Sequence, residues 1–333
     1  MIRIDELDPS DLTGLREFWE VEQESVRHDR EHAILRTWPR LRTMMEQPNA
    51  YYARTLLVAR DTDGVVGCAE VGGSLQDNTH LADLEIHVLP GHRRRGVGSA
   101  LHDAAARRCR DTGRSSICGE VYVPAGSEGP GEAAYEFAAS LGFGSVHTED
   151  HLLLTLPMPA DEVARLHAKA DGPEYDVVTW TGACPEEYLA AYCEMQTRMS
   201  VDLPTGGVDV EPVVVDAARV RAGEKRTLRS FHAITAVVRR RSDHVFAGYS
   251  QLFLPHGADY ALQDDTLVMP EHRGTRLGTR LKLATLGVLT GAFPERASVH
   301  TWTAVDNHAM QATNRDFGFV PVERMHEMQR RDG

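Results

Sequence analysis

Apolar and polar positions along the chain fall into short blocks whose spacing switches between two residues and three to four. Alternation over Arg54 to Ala59 and Val65 to Val71 predicts two strands, and the Asp-Gly pair in Thr62-Asp63-Gly64 predicts a hairpin between them. The same reading predicts short strands at Ile2 to Ile4, Leu84 to Leu89, Ser116 to Val123 and His151 to Leu156. Helical spacing runs over Asp11 to Val26, Glu31 to Met45, Gly98 to Asp111 and Glu132 to Ser140, with Pro9-Ser10 ahead of Asp11 as a helix entry. Beyond these, strands are predicted at Asp176 to Trp180, in a hairpin over Ala233 to Leu254, at Thr266 to Met269 and at Ser298 to Thr303. Helices are predicted over Pro185 to Met199, Gly278 to Thr290 and Ala309 to Asp316.

The second series repeats the first. Leu89 to Ala105, LPGHRRRGVGSALHDAA, aligns without gaps on Met269 to Thr285, MPEHRGTRLGTRLKLAT, with six of seventeen positions identical at an offset of 180. Leu141-Gly142-Phe143 then recurs as Phe317-Gly318-Phe319 at an offset of 176. Two landmarks in one order at nearly one spacing imply a duplication. Between the copies lies LPMPADEVARLHAKADGP, helical in its middle, which places the joint near Gly172 and predicts domains over 1–157 and 173–333 with a linker at 158–172.

Composition narrows the classes without changing this layout. A chain of 333 residues that is 42% hydrophobic and 26% charged has the make-up of two ordinary globular domains, and it contains no apolar run long enough for a membrane span. MIRIDELDPSDL lacks the basic stretch and apolar core of a secretion signal, so a cytoplasmic location is expected. The five cysteines are scattered without paired spacing, which argues against a disulfide framework or a zinc site. A net charge of -13 disfavours nucleic acid and favours a cationic partner. No metal is expected, and a monomer or homodimer is.

The chemistry concentrates where a predicted strand meets a predicted helix across a turn rich in glycine and arginine. A helix N-terminus carries unpaired N–H groups and a partial positive charge, so it holds an anion where glycine admits close approach. In Arg93-Arg94-Arg95-Gly96-Val97-Gly98 the arginines add charge and the glycines remove Cβ atoms.

This layout resembles the GNAT superfamily of N-acetyltransferases, whose pyrophosphate signature of Arg or Gln, two residues, Gly, one residue, Gly or Ala is met by Arg93 to Gly98. Arg273-Gly274-Thr275-Arg276-Leu277-Gly278 keeps the first Arg and last Gly but has Arg276 in the middle glycine's place. It is similar to a variant in the C-terminal halves of tandem actinobacterial members, here His272-Arg273-Gly274, Leu277-Gly278 and Lys282. The resemblance implies an α/β chain of two tandem GNAT-like domains, each a mixed, splayed central sheet flanked by helices. It implies acetyl-CoA or another acyl-CoA as donor. The cofactor's extended arm would lie beside His87, Val88 and Leu89, or Val268 and Met269. Its pyrophosphate would lie on Arg93 to Gly98 and Ser99, or on Arg273 to Gly278 and Thr279. Asn307, after the last strand of the second copy, would contact the cofactor.

The acceptor implied is a primary amine of a small molecule, attacking the thioester directly with help from a general base. Glu85 and Asp265, each five residues before a proline of the turn, hold the place of the family's strand carboxylate, and His87 faces the same side as Glu85. A structural role for either acid is equally open. The family's tyrosine acid is missing: its positions are Ala138 and Asn314, which leaves Tyr135, Tyr122 or unassisted departure of the thiolate. Three other readings stand beside the acetyltransferase: a non-catalytic CoA-binding sensor or dimerisation pair, a mycothiol-synthase-like enzyme, and a peptidyl transferase on aminoacyl-tRNA. Charge counts against the last.

Overall fold

A computed structural model describes every residue except 1, 29, 48, 63, 332 and 333. Two compact units emerge, unit 1 from 1–148, 205–211 and 323–333, and unit 2 from 149–204 and 212–322.

Unit 1 orders its strands β1 (Arg3–Glu6), β2 (Tyr52–Asp61), β3 (Gly64–Ser74), β4 (Leu81–Val88) and β5 (Ser116–Pro124). Neighbours run antiparallel except β4 and β5, which are parallel. Residues 323–331 of β12 (Val320–Arg331) close the far side against β5. Alternation sorts the side chains: Leu57, Ala59 and Leu84 face α3 (Val97–Asp111), whereas Leu56, Val58 and Cys68 face α1 (Leu12–Arg27) and α2 (Trp38–Glu46). Asp11 caps α1, its Oδ1 accepting from the N–H groups of Thr13 at 3.1 Å and Gly14 at 3.0 Å. Helix α4 (Ala133–Ser140) follows β5.

Unit 2 repeats this arrangement with β7 (Tyr175–Thr181), β8 (Phe231–Arg240), β9 (Phe246–Pro255), β10 (Tyr260–Val268) and β11 (Ser298–Ala304). Residues 149–155 of β6 (Gly144–Thr155) close it against β11. Helices α5 (Ala160–Lys169), α8 (Leu277–Ala292) and α9 (His308–Phe317) cover one face, through Leu166, Leu283, Leu286 and Phe317. On the other face, α6 (Leu189–Asp202) and α7 (Ala217–Thr227) pack Tyr192, Met195 and Val220 on Val237, Tyr249 and Leu267. We propose 158–172, which holds α5, as the joint between the sequence repeats.

In both units the parallel pair parts early. β4 meets β5 only through Leu81, Ala82 and Asp83, and β10 meets β11 only through Tyr260, Ala261 and Leu262. The rest of each strand keeps its pairing on one edge and leaves the other open. A mixed sheet that splays is what the family resemblance implied.

Three expectations differ in extent. The helix predicted from Glu31 begins only at Trp38, because Pro39 lacks an N–H and would clash with a preceding helical carbonyl, so it fits only the first turn. β10 extends from Tyr260, where Tyr260, Ala261 and Leu262 hide the alternation. The Asp63 of the predicted hairpin turn lies outside the described residues, although β2 and β3 do pair as a hairpin. All five cysteines are buried thiols. Among the described residues no helix is long and apolar enough to cross a membrane.

Candidate active site

Each parted strand ends in the same turn. After a 3-10 turn over Pro90–His92, Arg94 and Gly96 take left-handed φ of 61° and 82°. After Pro270–His272, Gly274 and Arg276 do so at 79° and 61°. Positions 94 and 274 correspond in the repeat, as do 96 and 276, so both copies build one backbone path but place the glycine at opposite left-handed positions. Left-handed backbone costs an L residue about 1 kcal/mol, which explains why one of each pair is glycine. Arg276 at the position of Gly96 therefore preserves the turn.

The first arginine of each turn braces it. Arg93 donates from Nε to the Val88 carbonyl at 3.2 Å and from its terminal nitrogen to the Ser25 carbonyl at 3.2 Å. Arg273 donates from Nε to the Val268 carbonyl at 3.0 Å and ion-pairs with Asp202. Arg94, Arg95 and Arg276 are exposed. Thr275 donates to the His272 carbonyl at 2.6 Å, and the buried His272 meets the Tyr175 hydroxyl at 2.9 Å. Neither α3 nor α8 has a side-chain cap, so the first N–H groups of each helix face outward without one. Val97 and Leu277 point inward, Ser99 is exposed and Thr279 is buried. Leu89 and Met269 carry the pairing one residue past each strand, their N–H groups bonding Val66 and Ala247 carbonyls.

The second glycines differ. A Cβ at Gly98 would stand 2.8 Å from Phe137 of α4, so that space already holds a ring. At Gly278 the nearest atoms would be 4.0 Å away. Gly98 thus serves helix packing, and the close-approach argument from sequence applies to Gly278.

Glu85 and His87 lie on the α1 face of β4, where they join residues that no local pattern linked to them. His87 Nε2 stands 3.8 Å from the Glu85 carboxylate, too far for a hydrogen bond, and Glu85 is 60% exposed. Behind them Arg36 joins Glu22 at 3.0 Å and Glu70 at 2.5 Å, with these side chains only 9%, 7% and 12% exposed. The His87 imidazole and, beyond it, Arg36 hold the Glu85 carboxyl well below the ordinary range. Burial raises that of Glu22, and Arg36 opposes the rise. Donor atoms of Glu22, Glu85 and His87 lie within 4.8 Å of one another, but Arg36 engages both oxygens of Glu22 and its charge opposes a metal cation. Along the same opening, Tyr52 donates to Asp83 at 2.6 Å and Tyr122 to Glu120 at 2.8 Å. Tyr135 packs edge-on to His326 at 5.2 Å.

In unit 2, Asp265 accepts from the buried Tyr249 hydroxyl at 2.7 Å, and Asp264 beside it is exposed. Loss of solvent around the pair raises both carboxyls, and the charge of Asp265 adds to the rise at Asp264. Asn307 caps α9, accepting from the Met310 N–H at 3.2 Å. Asn314, in the tyrosine position, is fully buried, accepts from Lys282 Nζ at 2.8 Å and donates to Thr303 at 2.9 Å.

A family model described as "Acetyltransferase (GNAT) family" matches residues 14–143. Among curated proteins none matches the chain. Of solved structures, a tandem GNAT protein from the clavulanic acid biosynthesis pathway, determined without AcCoA, is 26% identical, with a TM-score of 0.82 over 100% of this chain and 99% of its own. A GCN5-related N-acetyltransferase from Sphaerobacter thermophilus is 14% identical, with a TM-score of 0.68 over 99% and 95%. N-myristoyltransferase of Saccharomyces cerevisiae with bound myristoyl-CoA is 11% identical, with a TM-score of 0.61 over 98% and 79%. The last two are likenesses of fold.

Proposed function

We propose that the chain is a tandem member of the GNAT superfamily that moves an acyl group from acyl-CoA to a primary amine of a small molecule. Acetyl-CoA is the donor we favour. The observation that carries this reading is the twofold coincidence of a parted parallel pair with a turn opening onto an uncapped helix. The open edge of β4 or β10, from His87 to Leu89 or Val268 to Met269, offers unpaired backbone to an extended amide-bearing arm. The helix N-terminus with Arg94 and Arg95, or with Arg276, offers positive charge to the pyrophosphate. Arg93 and Arg273 hold the turn in shape, and Asn307 shapes the start of α9.

In unit 1 the low proton affinity of Glu85 suits attraction of an ammonium and transfer of its proton through water better than direct capture. The nitrogen then attacks the thioester carbonyl, the C–S bond breaks and the thiolate takes a proton. Ala138 provides no acid for that step. A CoA-binding sensor is the second reading, favoured by Ala138 and by the structural use of Asn314.

Ser99→Asp and Gly278→Asp separate the units. A carboxylate in the first turn suits a helix dipole but repels a pyrophosphate, and Gly278 has room for the side chain. Calorimetry should find each variant's unit losing CoA affinity at least tenfold with no fall in melting temperature. Acetyl-CoA thiol release over a panel of primary amines tests the transfer. Unchanged CoA affinity in both variants would remove the turns from the site. Binding without release from any amine would favour the sensor.

A further inference from the structure

The repeat equates Glu85 with Asp265, but the two strands differ at this point. β4 pairs with β3 residue for residue, whereas β10 carries a bulge: Gln263 opposes Leu252, Thr266 opposes Ser250, and both Asp264 and Asp265 face Gln251. A bulge re-aims side chains and is common beside active sites. Here it puts two carboxylates where β10 leaves β11, two and three residues past the strands' last pair at Leu262.

The two carboxylates are held differently. Tyr249, fully buried, fixes Asp265 with its hydroxyl, and Asp264 is exposed at the opening. The titratable groups facing Asp264 are Asp265 on its own strand, Tyr249 from β9 and Tyr192 from α6. No Arg or Lys is among them, in contrast to Glu85 before Arg36.

Gln251, opposite the bulge, also lines a cavity of about 250 Å3 between the sheet and helices α6 and α7, and Gln263 Nε2 ties that wall to the bulge by donating to the Gln251 carbonyl at 2.8 Å. Other walls come from Trp180, Tyr192, Gln196, Thr235 and Phe253, and α7 adds Arg219 and Glu224. The lining is thus aromatic faces and neutral hydrogen-bonding groups, with one positive and one negative side chain that leave it without net charge. The volume lies below the roughly 300–1,000 Å3 of drug-sized ligand sites.

We infer that unit 2 contains an acceptor site of its own, in which this cavity seats a small primary amine with a neutral polar or aromatic body and Asp264 takes the ammonium proton. The inference rests on the acyl-transfer reading for its chemistry. R–NH3+ gives one proton to the Asp264 carboxylate, and the freed amine forms the C–N bond to the acyl carbon. The C–S bond breaks, the second N–H proton goes to the thiolate, and Asp264 releases its proton to water. The products are amide, CoA thiol and one proton. Asp265 is a positioning residue, pinned by Tyr249, whose charge raises the proton affinity of its neighbour.

The test uses the full chain with Ser99→Asp to silence the unit 1 turn, acetyl-CoA as donor, and ethanolamine, 2-phenylethylamine and tyramine as probes. Asp264→Asn should lower kcat about a hundredfold and abolish the acidic limb of the pH profile. Asp265→Asn should move that limb to lower pH by removing the like charge. Independently of turnover, at least one amine should shift the Trp180 indole NMR signal, assigned with Trp180→Phe, and Asp264→Asn should weaken that binding at least tenfold. An Asp264→Asn chain with its amine affinity and pH profile intact overturns the inference, as does a Trp180 signal that no probe moves. A shifted signal with no thiol release in the unmodified chain sinks the acyl-transfer reading and leaves the amine seat standing.

Discussion

Arg36→Met is expected to cost unit 1 about 3–5 kcal/mol at pH 8, the usual loss when one partner of a buried ion pair is removed. Arg36 neutralises Glu22 and Glu70 at once, and Arg54, 2.8 Å from Glu70, reaches only the second. Methionine keeps much of the stem's bulk, so the cost is electrostatic. The variant is also expected to recover as pH falls. Glu22 already has a raised carboxyl, chiefly from burial, and loses the main influence opposing the rise. A carboxyl whose folded pKa exceeds its unfolded one binds its proton more readily when folded, so the deficit is full above the folded pKa and shrinks as pH drops towards 5. Denaturant unfolding at pH 8 and pH 5 measures both. Arg3→Met, at an exposed pair with Asp5, should change stability by less than about 0.5 kcal/mol. A loss under about 1 kcal/mol at pH 8, or an equal loss at both pH values, would contradict this account.

The second large effect concerns Lys282. Its ammonium group is fully buried, bonded to the neutral Asn314, and burial pushes its pKa down to about 7. The unfolded side chain keeps the ordinary value near 10.5. Below pH 7 both states are protonated and the folded state carries the whole desolvation cost. Between pH 7 and 10.5 only the unfolded state holds the proton, so stability rises with pH by at most about 5 kcal/mol. Lys282→Met lacks this titration. The difference in unit 2 stability between wild type and variant should therefore shift in favour of wild type by several kcal/mol from pH 6.5 to pH 9.5. A difference constant across that range would show that Lys282 stays protonated in the folded chain or is not dehydrated.

What could be read from sequence divides by range of interaction. The turns were legible because glycine, proline and arginine act through neighbouring backbone, and the duplication printed them twice. Helix α1 was legible for the same reason, with its aspartate cap and regular apolar spacing. The functional clusters were not. Arg36 reaches Glu70 across 34 positions, and Lys282 reaches Asn314 across 32, so no local period joins them. The bulge escaped notice because alignment by distance from a proline assumes residue-for-residue pairing, which β4 obeys and β10 does not. Helix α7 was missed where charged residues mask its single buried anchor, Val220. β12 was missed because buried Met325, His326, Met328 and Gln329 break any clean alternation.

The closing strands bear on the order in which the chain is made. Residues 149–155 complete the sheet of unit 2, and residues 323–331 complete that of unit 1. A ribosome releasing residues 1–148 has delivered most of unit 1 but not the strand that covers β5, and that strand is synthesised only after unit 2. Until then β5 is a bare edge of the kind that invites wrong partners. Unit 2 receives its closing strand before any other part of its sheet, so it can be complete first. The half made first is thus the half finished last, and severing the chain near Gly172 would leave both fragments short of a strand.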